Sequence, residues 1–527
     1  MGVLQSCPAR RIKRCSPVWA AAATALLLGA VWARYLAGVG GDLAAQWAWA
    51  DFAARYPGSA YDLAWYGGAY PASYSILTPY LMGFLGVRTL AVAAATASAA
   101  LLGLLLQRSP LDRPLPVALW GAFALTCNIV AGRVTFALGL AFGLAAVATA
   151  AGRQWRPGWP GTASTAVLAL LATSSSPVAG LFVVTVAAAL LLNRRYRSGW
   201  ALALPPPLLV LVTALLFPFG GIDPMAASTA VFCLVCAAAV ALLSPRDWRT
   251  VRTAAAVYAL GTVLTWALST PIGSNVQRLA LIFGSVILLA ALSARVARPG
   301  ARNLRELAVP LTAFAATAFW LVNGNLLGEA APSPARQATG LTAELRRLHA
   351  DRARLEAVPM RNHWESWGLV SSADLARGWN RQLDLQRNPL FYQGTLTPAS
   401  YHAWLKHWAV HYVALSTGAA DTAATDEAAL VRARPDWLQE VWHDPAWRLY
   451  RVTDPLPLAA PPATVDHADA AAVQLTLARA AQVLVRIPWS AWLAVHGPAG
   501  ARLAPDGEWT RLDAPAPGNY RIDAPYR

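Results

Sequence analysis

Three aspartates lie in a short aromatic stretch that follows the first long apolar run of the chain. Asp42, Asp51 and Asp62 occur within GGDLAAQWAWADFAARYPGSAYDLAWYGGAY, whereas nearly half of the next 250 residues are Ala, Leu or Val. A carboxylate can act as a general base that removes the proton from an attacking hydroxyl group. Loop aspartates are more often solvated or helix-capping residues, so the polar groups around them must decide between the two roles.

Further polar residues interrupt later turns between apolar runs. They are Arg133, the serines 174–176, Asp223, Asn275 and Arg278. Arginine recognises phosphate through a planar fork of donors, and polar groups at bilayer depth usually face a cavity or a partner. Carboxylates and arginines at one membrane boundary suit a substrate with a lipid tail and a phosphate head. The alternative for each arginine is that it anchors its helix at the membrane interface.

The elements that position these residues are predicted to be membrane-spanning helices. Of the 527 residues, 56% are hydrophobic and 13% are charged, against roughly 25% charged in a soluble domain. Apolar runs close to the ~20 residues needed to cross a bilayer recur from Val18 to Val322. They predict a polytopic α-helical membrane protein with about eleven spans, at residues 17–38, 88–107, 115–131, 134–151, 162–174, 177–193, 200–218, 226–243, 253–269, 278–294 and 307–323.

Arginine clusters between the apolar runs predict the orientation of the spans. Because cytoplasmic loops carry the excess of arginine, the clusters and the N-terminus are placed in the cytoplasm. The same clusters account for the net charge of +16, which therefore does not indicate nucleic-acid binding. The first external loop is then 39–87. Its segment 70–86 is short and contains Pro71 and Pro79, which favours a juxtamembrane or re-entrant helix over a span. Most of the unusual polar residues of the membrane region fall on the external side.

From about residue 326 the composition becomes that of an extracytoplasmic α/β region. The segment PSPARQATGLTAELRRLHADRARLEAV predicts an amphipathic helix, with Leu341, Leu345, Leu348 and Leu355 at helical spacing. The runs HYVALS, WRLYRVT, VQLTLARAAQVLVRIPW and NYRIDA predict strands. The predicted domains are a transmembrane domain at 1–325, an α/β domain at 326–455 and, after a Pro-rich linker, a small β-sandwich-like domain at 464–527.

A cytoplasmic start, one span, and a long external loop with an early Asp and a Pro-containing helix resemble the GT-C superfamily of multi-span glycosyltransferases. The first loop is more closely similar to that of YfhO-like bacterial membrane proteins. Their pattern is an Asp, then Gln-Tyr, an aromatic-glycine patch and a Tyr…Ser-Pro-Tyr segment. The matching residues are Asp42, Gln46, Tyr74, Pro79 and Tyr80, with Trp47 in place of the first Tyr and Thr78 in place of the Ser.

The resemblance implies an inverting transfer of a sugar from a polyprenyl-phosphate-linked donor to an extracytoplasmic glycan, lipid or protein acceptor. An external-loop Asp would take the proton of the acceptor hydroxyl. Asp42 is the first candidate for this base, and Asp51 is the second candidate or a metal ligand. Arg133, Arg278 and Asn275 would bind the departing phosphate, with a divalent cation (Mg²⁺ or Mn²⁺) as the alternative to arginine. The substrate would be contacted by Gln46, Trp47, Tyr66, Tyr74 and Tyr80.

Aromatic and charged residues are interleaved in HWESW and ARGWNRQLD of the external part. Sugar-binding proteins place aromatic faces against the C–H side of a sugar ring, so we expect His363, Trp364 and Trp379 to line an acceptor cleft. The alternative is that these tryptophans build the core of a domain without disulfides. The external histidines lack the compact spacing of metal ligands.

Two other functions are compatible with the sequence. A transporter or flippase of a lipid-linked or small substrate would show charged residues or broken helices near the midplanes of several spans, whereas here they lie at the outer ends. A receptor-like or structural membrane protein would leave the loop carboxylates without a role. The prediction is therefore a multi-pass glycosyltransferase of the bacterial cytoplasmic membrane. Its partners are the lipid bilayer, the lipid-linked donor and a cell-envelope acceptor, with no nucleic acid.

Overall fold

The structure is a computed structural model that describes residues 16–38, 40–71, 75–151, 159–218, 220–297, 304–326 and 338–527. A helix coincides with each predicted apolar run. The helices are Pro17–Val31 with a π turn at Trp32–Leu36, Val87–Gln107, Pro114–Val130, Val134–Ala150, Trp159–Ser175, Pro177–Leu192, Tyr196–Ala203 followed by Pro205–Leu216, Ala227–Leu243, Arg249–Ala267, Gly273–Val296 and Leu304–Leu326.

Among the described residues, five of these helices are long and apolar enough to cross a membrane, as expected for a helical membrane protein. They are Pro17–Leu36, Val87–Gln107, Tyr196–Leu216, Gly273–Val296 and Leu307–Leu326. Shorter apolar helices lie beside them in the bundle. The total of eleven spans stays a prediction.

Proline marks the beginning of several membrane helices. Pro17, Pro114, Pro177 and Pro205 each occupy the first helical turn. The first turn of a helix has backbone N–H groups without intrahelical partners, so a residue that lacks this group is tolerated there. These prolines therefore start helices instead of breaking them.

The first external loop is folded and contains its own elements. The helix Leu43–Arg55 follows Asp42, a short antiparallel pair joins Tyr61–Asp62 to Tyr70–Pro71, and the helix Thr78–Leu85 ends the loop. The last of these lies within the segment 70–86, where a juxtamembrane helix was expected.

The external part begins with the helix Thr339–Arg347 and a five-stranded mixed sheet. The strand order is Asp374–Leu375, Arg354–Ala357, Val410–Ser416, Trp447–Val452 and Leu438–His443, with the first three strands parallel and the last two antiparallel to their neighbours. The helices Glu365–Gly368, Arg381–Arg387, Pro398–His407 and Thr425–Arg432 connect these strands.

The expected helix through Leu355 is wrong beyond Leu348. His349 adopts a left-handed backbone conformation with φ of 50° and ends the helix, and Leu355 lies in the central part of the sheet. Leu355 is fully buried there. Leu355 is seven positions after Leu348, which is a helical spacing. The spacing is a coincidence, because the helix ends between these two residues.

Two antiparallel sheets follow the Pro-rich segment and share one apolar core. One sheet has the order Ala481–Pro488, Trp509–Ala514, Arg502–Asp506, and the other has the order Ala494–His496, Gly518–Asp523, Ala472–Leu477, Ala463–Ala468. Leu475, Val485, Leu512 and Ile522 meet in this core. The four strand-forming runs expected from the sequence are confirmed as strands.

The first loop lies between the helix bundle and the external sheets. Ala64 O accepts a hydrogen bond from Leu375 N at 2.8 Å, and Gly67 O accepts one from the Arg354 guanidinium at 2.7 Å. In addition, Leu63 N donates at 2.9 Å to Ala470 O, which lies between the strands Ala463–Ala468 and Ala472–Leu477. These bonds fix the loop that carries Asp42 against two different sheets.

Candidate active site

A polar cavity of about 270 Å³ lies where the first loop, the helix ends that adjoin it and the predicted external part (338–527) meet. The membrane helices and their turns contribute Arg133, Thr135, Asp223, Ser274, Asn275, Gln277 and Arg278, the first loop contributes Asp42, Ala45, Gln46 and Trp49, and the external part contributes residues 379–382. The structure thus brings together Asp42, Gln46, Arg133, Asn275, Arg278 and Trp379 from the residues expected at the site.

Asp42 meets two arginines on one wall of this cavity. Its Oδ2 lies 3.5 Å from Arg133 Nε and 3.7 Å from Arg278 Nη2. Asp42 directly precedes the helix Leu43–Arg55, but its side chain does not cap that helix. The Asp42 carboxylate therefore interacts with the two arginines through charge alone and forms no hydrogen bond with either of them.

The backbone explains why Asp42 and Arg133 are neighbours. Gly132 has a φ of +85°, and a Cβ placed on it would lie 2.5 Å from Leu43 N. Only glycine therefore lets the turn 131–133 touch the start of the first-loop helix. Arg133 is also held by Asn325, whose Oδ1 accepts a hydrogen bond from Arg133 Nη1 at 2.9 Å.

Gln46 and Asn275 hold elements of the cavity wall in place. The side-chain oxygen of Gln46 accepts a hydrogen bond from Thr135 N at 3.1 Å, in the first turn of the helix Val134–Ala150. The Asn275 amide nitrogen lies 3.5 Å from Asp223 Oδ2. Both residues border the cavity while holding neighbouring elements in place.

The external wall of the cavity carries Trp379 and Arg381. Trp379 stacks on His363 with ring centroids 3.3 Å apart, and Arg381 donates to both carboxylate oxygens of Asp421 at 3.0 and 3.2 Å. Burial lowers the pKa of His363, but its contacts with Asp421 and Glu365 raise that pKa above the ordinary value. The His363 ring beneath Trp379 therefore binds a proton more readily than a free histidine does.

Several residues expected at the site lie away from the polar cavity. Asp51 accepts a hydrogen bond from Trp367 Nε1 at 2.8 Å and pairs with Arg55 at 3.4 Å on an exposed helix face. Trp47 packs against Trp367. Asp51 therefore does not share the cavity with Asp42, because it lies nine positions later, about two and a half helical turns and roughly 13 Å along the helix.

The remaining expected residues hold the folded parts together. The Tyr66 hydroxyl bonds to the backbone N and O of Asn380 at 2.9 and 3.0 Å, and Trp364 Nε1 donates to Gly38 O at 3.3 Å. The Tyr80 hydroxyl donates to Pro57 O at 3.2 Å. Tyr74 lies outside the described residues. Tyr66 and Trp364 are both buried. For Trp364 this corresponds to the alternative that the external tryptophans build a domain core.

Asp223, Ser274 and Arg381 are cavity residues to which the sequence assigned no role. The sequence indicates Asp223 only as an unusual polar residue in GGIDP, and Arg381 only as part of the aromatic and charged segment ARGWNRQLD. The signal that could have linked Asp223 to Ser274 is the glycine in each of the two turns, GGIDP and GSN. Glycine permits the close approach of two backbones, but it does not identify the partner.

The cavity residues do not fit a divalent cation. Two guanidinium groups lie within 4 Å of Asp42 and would repel a cation from that carboxylate. Within the described part of the chain, no group of three or more His, Cys, Asp or Glu side chains is arranged to hold a metal ion.

An apolar cavity of about 380 Å³ lies in the helix bundle beside the polar one. Leu279 and Ala280 line it, directly after Arg278 in the same helix, together with side chains such as Leu140, Phe182 and Val183. A second apolar cavity of about 230 Å³ shares Phe182 with it. Consecutive residues of one helix, Arg278 and Leu279, thus line the polar and the apolar cavity.

Comparisons with known proteins give distant matches. Residues 460–508 match a family model described as "Domain of unknown function (DUF8823)", and no curated protein matches the chain. The chain is similar to the Archaeoglobus fulgidus oligosaccharyltransferase tethered with an acceptor peptide, at 11% identity and a TM-score of 0.47, over 76% of this chain and 69% of that chain. It is also similar to the arabinofuranosyltransferase AftD from Mycobacteria, at 14% identity and a TM-score of 0.45, over 97% of this chain and 57% of that chain. These likenesses are too distant to assign an activity, so the function must be argued from the cavity.

Proposed function

We propose that this protein transfers a sugar from a polyprenyl-phosphate-linked donor to an extracytoplasmic glycan, lipid or protein acceptor. The observation that carries the proposal is the pair Arg133 and Arg278, which face Asp42 at 3.5 and 3.7 Å without hydrogen-bonding it. Arg133 Nε is buried and has no hydrogen-bond partner among the described residues. A phosphate oxygen would satisfy this donor and form the charge-assisted bonds that the carboxylate leaves unmade.

The apolar cavities support a donor with a hydrocarbon tail. Arg278 borders the polar cavity and Leu279 borders the apolar one. A phosphate bound at Arg278 would therefore leave its lipid chain at the entrance to a space lined by Leu, Val, Ala and Phe side chains. Burial of such a chain contributes about 0.8 kcal/mol for each CH₂ group.

The chemistry is an inverting displacement at the anomeric carbon of the donor sugar. The acceptor hydroxyl attacks that carbon, a carboxylate takes its proton, and the phosphate leaves toward Arg133 and Arg278, which stabilise the growing charge. The cavity offers two carboxylates for the proton: Asp42, favoured by the resemblance to YfhO-like and other GT-C proteins, and Asp223. No cation is needed, because the arginines supply the positive charge.

The proposal places the cavity on the extracytoplasmic side of a bacterial cytoplasmic membrane. The opposite ends of the helices carry the arginine clusters, and contacts tie those ends together. Arg108 bonds to Ala148 O, Arg252 to Ala241 O and Arg295 to Leu243 O. Arginine-rich ends favour the cytoplasm. Thiol labelling of intact cells would test this orientation: a cysteine at exposed Asp436 should react with a membrane-impermeant reagent, and one at Arg246 should not.

The function is tested by transfer from radiolabelled polyprenyl-phosphate-linked sugars to a cell-envelope extract, with the purified protein in liposomes. We expect label in the acceptor fraction. Arg133→Gln should reduce transfer by about 10²-fold, because one preorganised donor at the leaving oxygen is lost. Arg479→Gln is the matched control, since Arg479 is exposed on the external sheets, and it should transfer normally.

Two results would contradict the proposal in different ways. Absence of transfer with every donor, together with movement of the donor across the liposome membrane, would identify a flippase. Full activity of Arg133→Gln in a folded protein would remove the arginine pair from the reaction.

A further inference from the structure

Asp223 is held in the cavity wall by donors that all approach one of its two carboxylate oxygens. Ser274 donates its N–H and its O–H to Oδ2 at 2.9 and 2.8 Å, and Asn275 Nδ2 lies 3.5 Å from the same oxygen. In the part of the chain that the structure describes, no group donates to Oδ1. Asp223 is 8% exposed and lines the cavity. Oδ1 is therefore the oxygen left for a ligand.

The two turns that meet here are shaped around this carboxylate. Asp223 N donates to Thr270 O at 3.0 Å. Gly273 has a φ of +41°, and a Cβ placed on it would lie 1.9 Å from Asp223 O and 2.6 Å from the carboxyl carbon. Any larger residue would push the turn 273–275 away and remove its donors. The geometry is thus specific for one rigidly oriented carboxylate.

Asp42 has the opposite surroundings. Its Oδ2 lies between two guanidinium groups, so an acceptor hydroxyl that approaches this oxygen would have to compete with two cationic side chains. Asp223 has no arginine or lysine within 4 Å among the described residues, since no ion pair joins it to one. A general base needs an available lone pair and a fixed direction, and Asp223 has both.

The position of Asp223 also suits the acceptor side of the reaction. Its neighbour Ile222 donates to Gln382 O at 3.1 Å, so Asp223 lies beside the external wall formed by residues 379–382. Arg133 lies on the bundle side, in the turn that touches the first loop. In an inverting displacement the attacking and leaving oxygens lie on opposite faces of the sugar. The assignment therefore requires the donor sugar to lie between Asp223 and Arg133.

We propose that Asp223 is the proton acceptor of the transfer and that Asp42 positions the two arginines until the donor phosphate binds. The acceptor O–H bond breaks, its proton goes to Asp223 Oδ1, and its oxygen bonds to the anomeric carbon. The bond from that carbon to the phosphate oxygen breaks, and its electron pair leaves with the phosphate. This assignment rests on the proposed function and names the base of that same site.

The electrostatics of the site agree with this assignment. Burial raises the pKa of Asp223, and this rise exceeds the lowering by the Ser274 hydrogen bonds and by Arg278 and Arg381, the charged groups that face it from the bundle and the external part. A carboxylate with a raised pKa is a stronger base.

The test compares Asp223→Asn, Asp42→Asn and Asp436→Asn in the transfer assay, together with binding of a short-chain polyprenyl phosphate. Asp223→Asn should lower transfer by about 10²- to 10⁴-fold, the range for loss of a general base. Its phosphate binding should stay close to that of the unmodified chain. Asp42→Asn should bind the phosphate more tightly, because the competing carboxylate charge is removed. Asp436 is exposed in an external turn, and its variant should behave normally.

Near-normal transfer by Asp223→Asn would overturn the assignment and leave the proposed function standing. Failure of the unmodified protein to transfer would instead reject the proposed function itself. Ser274→Ala covers the case in which Asp223→Asn does not fold. Loss of the Oγ donor should move the acidic limb of the rate profile upward by about half a pH unit to one unit. An unchanged limb in a folded Ser274→Ala protein would also overturn the assignment.

Discussion

Two ionic clusters of this molecule use the same side-chain types in different ways. At the cavity, Asp42 faces Arg133 and Arg278 at 3.5 and 3.7 Å, with 16 to 34% of each side chain exposed. In the external part, Arg377 hydrogen-bonds directly to Glu356 and Glu427, whose side chains are fully buried. The first cluster is loose and reachable, and the second is tight and closed.

The difference separates a binding site from a structural core. Buried charges must be closely paired, because removal of water from each ion costs several kcal/mol. Arg377 meets this requirement, and Tyr401 adds a hydrogen bond to Glu427 at 2.9 Å. The cavity cluster keeps partial access to water and leaves donors unused. Because Arg133 and Arg278 lie near Asp42 without hydrogen-bonding to it, their free donors are available to an anion that enters the cavity.

The strongest expected effect comes from breaking the closed cluster. Arg377→Leu leaves three buried carboxylates, those of Glu356, Glu427 and Asp384, without a cation, so the free energy of unfolding should fall by about 3–5 kcal/mol. Thermal unfolding of the full chain in detergent, followed by tryptophan fluorescence, measures this loss. The matched Arg479→Leu change on the exposed surface should have little effect. Equal midpoints for the two variants would remove the distinction between the clusters.

Substitution in the loose cluster should lower sugar transfer and leave the stability of the fold nearly unchanged. Arg278→Gln should reduce sugar transfer by about 10²-fold, equivalent to about 2.7 kcal/mol of transition-state stabilisation. Stability should change little, because the pair with Asp42 is partly exposed and not hydrogen-bonded. Transfer assays and thermal unfolding on one preparation separate the two effects. A large loss of stability with normal transfer would make this cluster structural as well.

Asp62 extends the comparison to a buried carboxylate that has no salt bridge to any described residue. Burial raises its pKa to about 7, while a hydrogen bond from Ala64 N lowers it only in part. Its ordinary pKa is about 3.9, so the folded chain binds this proton more tightly and loses stability as the pH rises from about 4 to 7. Each unit of pKa difference contributes about 1.4 kcal/mol.

Asp62→Asn should remove this part of the pH dependence. The amide oxygen can still accept the bond from Ala64, but no proton is lost at neutral pH. The unfolding midpoint of the variant relative to the unmodified chain should therefore increase between pH 4 and 7. A constant difference across this range would contradict a buried titrating carboxylate at Asp62.

The smallest effect is expected at Asp51, which pairs with Arg55 on an exposed surface and whose bond from Trp367 an asparagine oxygen can still accept. Asp51→Asn should change the free energy of unfolding by less than about 1 kcal/mol, and it should leave transfer unchanged. The same assays apply, with Asp436→Asn as the comparison. Loss of transfer in Asp51→Asn would return this residue to the reaction.

The membrane helices and half of the cavity could be predicted from the sequence, because both depend on local pattern. Apolar runs locate helices, and alternating arginine clusters place Asp42, Arg133, Asn275 and Arg278 at the same ends of those helices. No such pattern links Asp223 to Ser274, which are 51 residues apart. Their contact depends on how two turns are packed, and that information is distributed over the whole bundle.

The role of aromatic residues was also beyond the reach of sequence patterns. Trp364 and Trp379 occur in equally aromatic segments, yet Trp364 donates to the Gly38 backbone and Trp379 borders the cavity. Composition is the same in both segments, and only the position of each ring relative to the first loop distinguishes them.

The wall formed by residues 379–382 has a consequence for the biosynthesis of the protein. These residues follow the last apolar helix in the chain and are fixed by Tyr66 and Ile222, which belong to earlier turns. During synthesis the helices and the arginine pair are made first, while the cavity still lacks its outer wall. A donor lipid that reached the unfinished protein would meet no Trp379 and no Arg381. The cavity is therefore complete only when the later half of the chain has docked, and under the proposed function sugar transfer would begin only after that step.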